Sequence, residues 1–175
     1  MIDFIRFFAA TDRSPTAELA WAFMRRMMRI KPVRLVSFPG ALAGRWIGYE
    51  ALLVTPQMGT FVNVVCCDPS RWTWINRAVA HKTPLTGDQL AAGEEAASEV
   101  VTERAELWTQ GVRNVLIARD VPQSRAEIAT AGKYNAIIVP DLQTGSKFAD
   151  LGLKTWVCVH PYPEDTVRNL VLGEP

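Results

Sequence analysis

The sequence has 175 residues, of which 49% are apolar, and its 19 Lys and Arg residues nearly balance its 18 Asp and Glu residues. A chain of this length can bury a full hydrophobic core as a single domain over residues 1–175, and the balanced charge excludes a chain-wide preference for nucleic acid or anionic membranes. No apolar run approaches the ~18 residues of a membrane span, and the start lacks the order of a secretory signal, so a cytoplasmic protein without a membrane span is predicted.

The first predicted elements form a strand, helix, strand unit. Residues 2–10 are nearly all apolar, which is typical of a parallel strand buried on both faces. Ser14 and Pro15 are the residue types of a helix cap and first turn, and Pro32 should end the helix before a second strand at 33–38. One apolar stripe defines the buried face of this helix: Leu19, Phe23, Met27 and Ile30.

The middle of the chain is less regular. Residues 39–59 are punctuated by glycines around a short strand or edge element, and residues 60–67 form a further buried strand. Thr86 and Gln89 have the spacing of a capping box, which predicts a long surface helix that ends at Gly111.

The last third alternates between strands and helices. The predicted strands are 113–118, 135–139 and 154–159, and the predicted helices are one that starts at a Ser124 and Glu127 capping box and one over 141–151 that ends at Gly152. Six strands separated by helices predict a doubly wound, mostly parallel α/β sheet of Rossmann type, with helices on both faces. Because such sheets bind ligands beyond the carboxyl ends of their strands, the residues just after each strand are the candidate site.

Two stretches after strands are candidate ligand contacts. Thr11, Asp12, Arg13 and Ser14 stand at a helix amino terminus, where free N–H groups can hold an anion, although Ser14 as a plain cap is the simpler alternative. Asp68 ends a strand before Arg71, Trp72 and Trp74, and aromatic faces with cations suit a sugar, a base or a phosphate, unless these tryptophans are core. Polar residues also follow the later strands, where a helix cap or loop role is the simpler alternative to catalysis: Arg119 and Asp120, Asp141 and Gln143, and His160.

Several site classes lack their motifs. No G-x-G-x-x-G, P-loop or G-x-S-x-G pattern is present, so classical dinucleotide binding and a serine hydrolase elbow are not expected. Cys66 and Cys67 are adjacent, and Cys158, His81 and His160 are isolated in sequence, which gives no disulfide framework and no metal-ligand spacing. We therefore predict no metal and no covalently bound cofactor.

The order of these features resembles one enzyme family. "AELAWAFMRRM" ahead of "VRLVSF", "TFVNVVCCDP", and "KYNAIIVPDLQTGSKFADLGLKTWVCVHPYPED" look like the opening unit, the cleft strand and the closing stretch of the amino-terminal domain of GT-B type glycosyltransferases. The resemblance departs from the family where its Gly-rich turn is replaced by Thr11–Ser14 and where its histidine after the third core strand is replaced by Cys67-Asp68.

The resemblance implies an acceptor-binding, Rossmann-like half of such an enzyme. It implies a hydroxylated acceptor near Asp68, Asp12 or His160, with Asp68 as the first choice of base and all three side chains as neighbours. The family's second domain, which contacts the nucleotide-sugar, has no counterpart in this sequence. A partner chain, a homodimer, or a module that has lost catalysis would account for this.

Two further interpretations stay open. A noncatalytic regulatory module that binds a nucleotide, nucleic acid or protein is supported by a basic cluster, although such a cluster is also common on a solvated helix end. A small flavodoxin-like or hydrolase-type enzyme, complete in one domain, is the third. The basic cluster comprises Arg25, Arg26, Arg29, Lys31 and Arg34.

Overall fold

A computed structural model describes residues 2–10, 14–38, 60–69, 72 and 113–174. The strands are β1 (Phe4–Ala10), β2 (Val33–Phe38), β3 (Phe61–Cys66), β4 (Arg113–Ile117), β5 (Ala136–Val139) and β6 (Trp156–Val157). The helices in these residues are α1 (Pro15–Ile30), α2 (Arg125–Ala131), α3 (Leu142–Asp150) and α4 (Glu164–Leu172).

The six strands form one sheet in the order β2-β1-β3-β4-β5-β6, and every neighbouring pair is parallel. The predicted Rossmann-like α/β sheet is therefore confirmed. From β1 the chain crosses to β2 on one side and then returns to place β3 on the other side, so the direction of winding changes between β1 and β3. This reversal creates a topological switch point, the usual ligand position in open α/β sheets.

Helix α1 begins and ends close to the predicted positions. The Ser14 side chain accepts a hydrogen bond from the Ala17 N–H, Pro15 occupies the first turn, and Lys31 is the C-cap. The predicted apolar stripe is buried against the sheet. At the start of α2, both bonds of the capping box between Ser124 and Glu127 are present. Local capping chemistry thus sets where these helices start.

The helices cover both faces of the sheet. Phe7 of β1 belongs to a core cluster with residues of α1 and α4, whereas the next residue, Phe8, belongs to a second cluster with Ala131 of α2 and Phe148 of α3. Successive side chains of a strand point to opposite faces, which explains the division. The doubly wound arrangement is confirmed.

One register position of the sheet is polar on four adjacent strands, β2, β1, β3 and β4, and the side chains of the last three are hydrogen-bonded in a row. Arg6 of β1 pairs with Asn63 of β3, and Asn63 pairs with Asn114 of β4. Arg6 Nε donates to Asn63 Oδ1 at 2.7 Å, and Asn63 Nδ2 donates to Asn114 Oδ1 at 2.9 Å. All three side chains are buried, and the Arg6 guanidinium also lies over the Phe61 ring, 4.5 Å from its centroid. We refer to these three residues as the polar row.

The carboxyl-terminal segment forms a helix that the sequence analysis did not predict. Helix α4 follows the turn after β6 and packs beside α1. Its last turn is held by Arg113, whose Nη2 and Nε donate to the carbonyl oxygens of Leu170 at 2.8 Å and Val171 at 3.1 Å. Gly173 then ends the helix with a φ of 70°, a conformation that favours glycine.

Some predicted elements differ or lie elsewhere. Strand β6 is two residues long, shorter than the predicted 154–159. The irregular stretch 39–59 and the helix predicted from Thr86 to Gly111 lie outside the described residues. Within the described ranges, no helix is long and apolar enough to cross a membrane.

Candidate functional site

The switch point between β1 and β3 brings two chain segments together at the carboxyl edge of the sheet. The next described residue after β1 is Ser14, and Cys67, Asp68 and Pro69 follow β3. Because β1 and β3 are parallel neighbours, their carboxyl ends lie side by side. The Thr16 carbonyl oxygen accepts from the Cys66 thiol, so the first turn of α1 lies against the end of β3, two residues before Asp68.

A carboxylate from a third strand connection reaches the same place. Thr16, in the first turn of α1, donates its hydroxyl proton to Asp120 Oδ2 at 3.1 Å. Asp120 follows β4, so this bond links the β1 and β4 connections across the top of β3. Asp120 is exposed and Asp68 is half-buried. We call Thr16, Asp68 and Asp120 the carboxyl rim.

The thiol of Cys66 lies beneath the carboxyl rim. Cys66 is fully buried at the end of β3, and its Sγ–H donates to the Thr16 carbonyl oxygen at 3.8 Å. Burial raises the pKa of this thiol well above its usual range, and the negative charges of Asp68 and Asp120 raise it further. Cys66 is therefore a protonated, structural thiol.

The electrostatics of the rim favour some ligands over others. The amino end of a helix attracts negative charge, and here Asp120 already supplies a carboxylate to the first turn of α1. An anionic ligand such as phosphate would be repelled by the carboxylates of Asp68 and Asp120. Hydroxyl groups suit the rim better, because they can donate hydrogen bonds to carboxylates. The described ranges contain no group of three or more His, Cys, Asp or Glu side chains that could hold a metal ion.

The structure describes two of the residues predicted as ligand contacts in the stretches after β1 and β3, and both have structural roles. Ser14 is a helix cap, as the simpler interpretation held. Trp72 is fully buried, and its indole N–H donates to the Cys67 carbonyl oxygen at 3.0 Å, which favours the core interpretation over contact with a ligand. The remaining predicted residues of these two stretches lie outside the described residues: Thr11, Asp12, Arg13, Arg71 and Trp74.

Two predicted residues occupy later strand ends. Arg119 is exposed after β4, directly before Asp120. Asp141 caps α3, because its Oδ1 accepts the Thr144 N–H at 2.7 Å. This backbone hydrogen bond lowers the pKa of Asp141. The structural role of Asp141 is thus to start a helix.

His160 lies beside the middle of α1 and makes an edge contact with Tyr162, with 5.4 Å between ring centroids. The helix residues that line the same groove run from Ala22 to Arg29, so they begin about 9 Å along the α1 axis from Thr16. The structure therefore places Asp68 and Asp120 after the neighbouring strands β3 and β4, and His160 beside arginines. A shared role for Asp68 and His160 stays a prediction.

The basic cluster predicted from the sequence is divided in the structure. Arg34 stacks on the Phe4 ring, with its guanidinium carbon 4.0 Å from the centroid, and Lys31 caps α1. Arg25, Arg26 and Arg29 face the groove beside His160. The predicted basic cluster thus contributes one compact group of three arginines to the groove.

Comparisons with protein-family models, with curated proteins and with solved structures give no significant match to this chain.

Proposed function

We propose that the chain is the acceptor-binding unit of a glycosyltransferase-like protein of GT-B type. The observation that supports the proposal is the carboxyl rim, where Asp120 accepts a hydrogen bond from the first turn of α1 and Asp68 follows β3, at the switch point of a Rossmann-like sheet. Ligands of open α/β sheets bind at this position. A hydroxylated acceptor, such as a sugar, is the ligand whose chemistry fits carboxylate acceptors.

In this proposal Asp68 is the base. It stands half-buried after the end of β3, and a carboxylate within hydrogen-bond reach of a hydroxyl group can accept its proton. The acceptor oxygen forms a bond to the anomeric carbon of a nucleotide-sugar while the bond from that carbon to the diphosphate oxygen breaks. The acceptor proton passes to Asp68, and the nucleoside diphosphate leaves with the electron pair. A partner chain or a second copy of this chain would hold the donor.

Asp120 is the positioning residue of the pair. Its Oδ2 accepts the Thr16 hydroxyl proton, which fixes one carboxylate oxygen toward α1. This bond also orients the other carboxylate oxygen, which can then accept a hydrogen bond from a neighbouring hydroxyl of the acceptor. Asp12 lies outside the described residues and is an alternative base, as is His160 if the acceptor extends along α1.

Acceptor binding tests this proposal directly. Saturation-transfer NMR with a panel of methyl glycosides should show binding to the wild-type chain, and Asp68→Asn should weaken that binding about tenfold or more, because a hydrogen bond to a charged group is lost. Asp165→Asn is the matched control, since Asp165 is an exposed carboxylate on α4 away from the rim. Calorimetry with UDP-glucose, UDP-N-acetylglucosamine and GDP-mannose forms the second arm. Absence of glycoside binding would contradict the proposal, whether or not the nucleotide-sugars bind.

A further inference from the structure

A second site lies on the helix face of the molecule, in a groove of about 290 Å³ between the middle of α1 and the turn before α4. Arg25, Arg26 and Arg29 line it from the helix, and His160 and Pro161 line it from the turn. Its volume is close to the lower end of the ~300–1,000 Å³ range of small-molecule sites. The groove is large enough for a small ligand or for the head of a larger one.

The turn is held firmly against α1. Arg26 Nε donates to the Pro161 carbonyl oxygen at 3.1 Å, and the buried Tyr162 ring packs on Phe23 with 4.4 Å between centroids. Tyr162 has a φ of 55°, a left-handed conformation that a bulky residue keeps only where its surroundings fix it. The two walls of the groove are thus set in place before any ligand arrives.

The three arginines of the groove concentrate positive charge in one place. Among the described residues, none of the three arginines forms an ion pair, although Glu164 and Asp165 stand in the nearby first turn of α4. Arg25 and Arg29 are four residues apart on α1, a spacing at which like charges repel and destabilise the helix. The carbonyl end of the helix dipole offsets this repulsion for Arg29, which lies in the last turn of α1. The clustering of three arginines on one groove is therefore what points to an anionic ligand.

We propose that this groove binds the phosphate group of a small molecule, either a phosphomonoester or a diphosphate. Guanidinium groups match phosphate oxygens with paired hydrogen bonds. The three arginines span four residue steps, or about 6 Å along the helix, which fits one or two adjacent phosphoryl groups. A nucleic acid strand would need a longer basic track, and the Arg34 guanidinium is stacked on the Phe4 ring.

The phosphate groove is independent of the acceptor site. It lies farther along α1 than the carboxyl rim, and it uses cations where the rim uses carboxylates. Loss of glycoside binding by Asp68→Asn would leave the groove unchanged. Conversely, loss of the groove would leave the rim able to bind an acceptor, so the two proposals fail separately.

Calorimetry with pyrophosphate, UDP and uridine tests the groove. Pyrophosphate and UDP should bind and uridine should not, and Arg25→Gln with Arg29→Gln should weaken the binding about tenfold or more. Both arginines are exposed, and the described structure gives them no hydrogen bond, so the double variant should fold. The matched control replaces the same charge on the opposite face of the sheet, with Arg125→Gln and Lys147→Gln, and should change the affinity less than about twofold.

Two further measurements locate the ligand and define its class. Pyrophosphate should shift the imidazole proton resonances of His160, which are assigned by their loss in His160→Gln. Arg25→Lys with Arg29→Lys should recover part of the affinity, because lysine keeps the charge and loses the paired geometry. A 20-nucleotide RNA that binds more tightly than UDP, and loses that binding in the double Gln variant, would overturn the small-molecule proposal. Absence of any phosphate binding, or binding that the double variant leaves intact, would also overturn it.

Discussion

Polar side chains occupy the sheet in two places, the polar row and the carboxyl rim, and their surroundings are opposite. In the polar row, Asn63 is fully buried and bonds to a neighbour on each side. At the rim, Asp120 is exposed and Asp68 is half-buried. Water can replace a lost partner at the rim and cannot do so inside the row. We infer that the row serves stability, whereas the rim, in contact with water, can serve ligand binding.

The largest expected effect comes from opening the polar row. Asn63→Ala removes the acceptor of Arg6 Nε and the donor to Asn114 Oδ1, and it leaves a buried guanidinium with one bond fewer. We expect the free energy of unfolding to fall by about 3 kcal/mol, because buried groups lose hydrogen bonds and a small cavity forms. Equilibrium unfolding in urea measures this loss.

Asn169→Ala is the matched control for the polar row. It makes the same substitution at an exposed position of α4, where alanine is the better helix former. Its free energy of unfolding should be unchanged or slightly higher. If Asn63→Ala destabilised the protein no more than this control, the polar row would not support the sheet, and the contrast with the rim would disappear.

Capping residues were predictable from the sequence because their chemistry is local. Ser14 and the Ser124 and Glu127 pair act within one helical turn, and the structure places them as caps. The polar row was missed, because each member is a single polar residue inside an apolar run. Only the strand register shows that these residues are neighbours.

The rim and α4 show the same limit of local inference. Asp120 stands one residue beyond Arg119, which was predicted as a contact, but its bond to Thr16 joins residues 104 positions apart. Helix α4 did carry local signals that were not used: acidic residues in its first turn at Glu164 and Asp165, and Gly173 at its end. Pairing across the sheet needs the fold, whereas this helix could have been found without it.

An intermediate effect is expected at Asp141, the helix cap that follows β5. Asp141→Ala removes the side-chain bond to the Thr144 N–H, and loss of such a cap costs about 1 kcal/mol. The folded-state pKa of Asp141 is lowered by this bond. The stabilisation is therefore present above the unfolded pKa of about 3.9 and is lost as the pH falls through the lower folded value. Urea unfolding at pH 7 measures the stability that the cap contributes. Urea unfolding at a pH below the folded pKa tests whether the difference between the variant and the wild type disappears.

Asp150→Ala controls for loss of an exposed carboxylate on the same helix. Asp150 is the last residue of α3, where a negative charge is unfavourable beside the carbonyl end of the helix dipole. This variant should be as stable as the wild type or slightly more stable. A pH-independent loss in Asp141→Ala would show that the carboxylate charge is not what stabilises the start of α3.

The smallest effect on stability should come from Asp120→Asn. Asparagine keeps an oxygen to accept the Thr16 hydroxyl proton, so only the charge is removed. An exposed charge near a helix amino terminus contributes about 0.3–1 kcal/mol, and we expect a loss near the lower value in urea unfolding. A loss as large as that of Asn63→Ala would mean that the rim is a structural network like the row. The carboxylates would then be committed to holding α1 on the sheet, and the acceptor site proposed there would lose its physical basis.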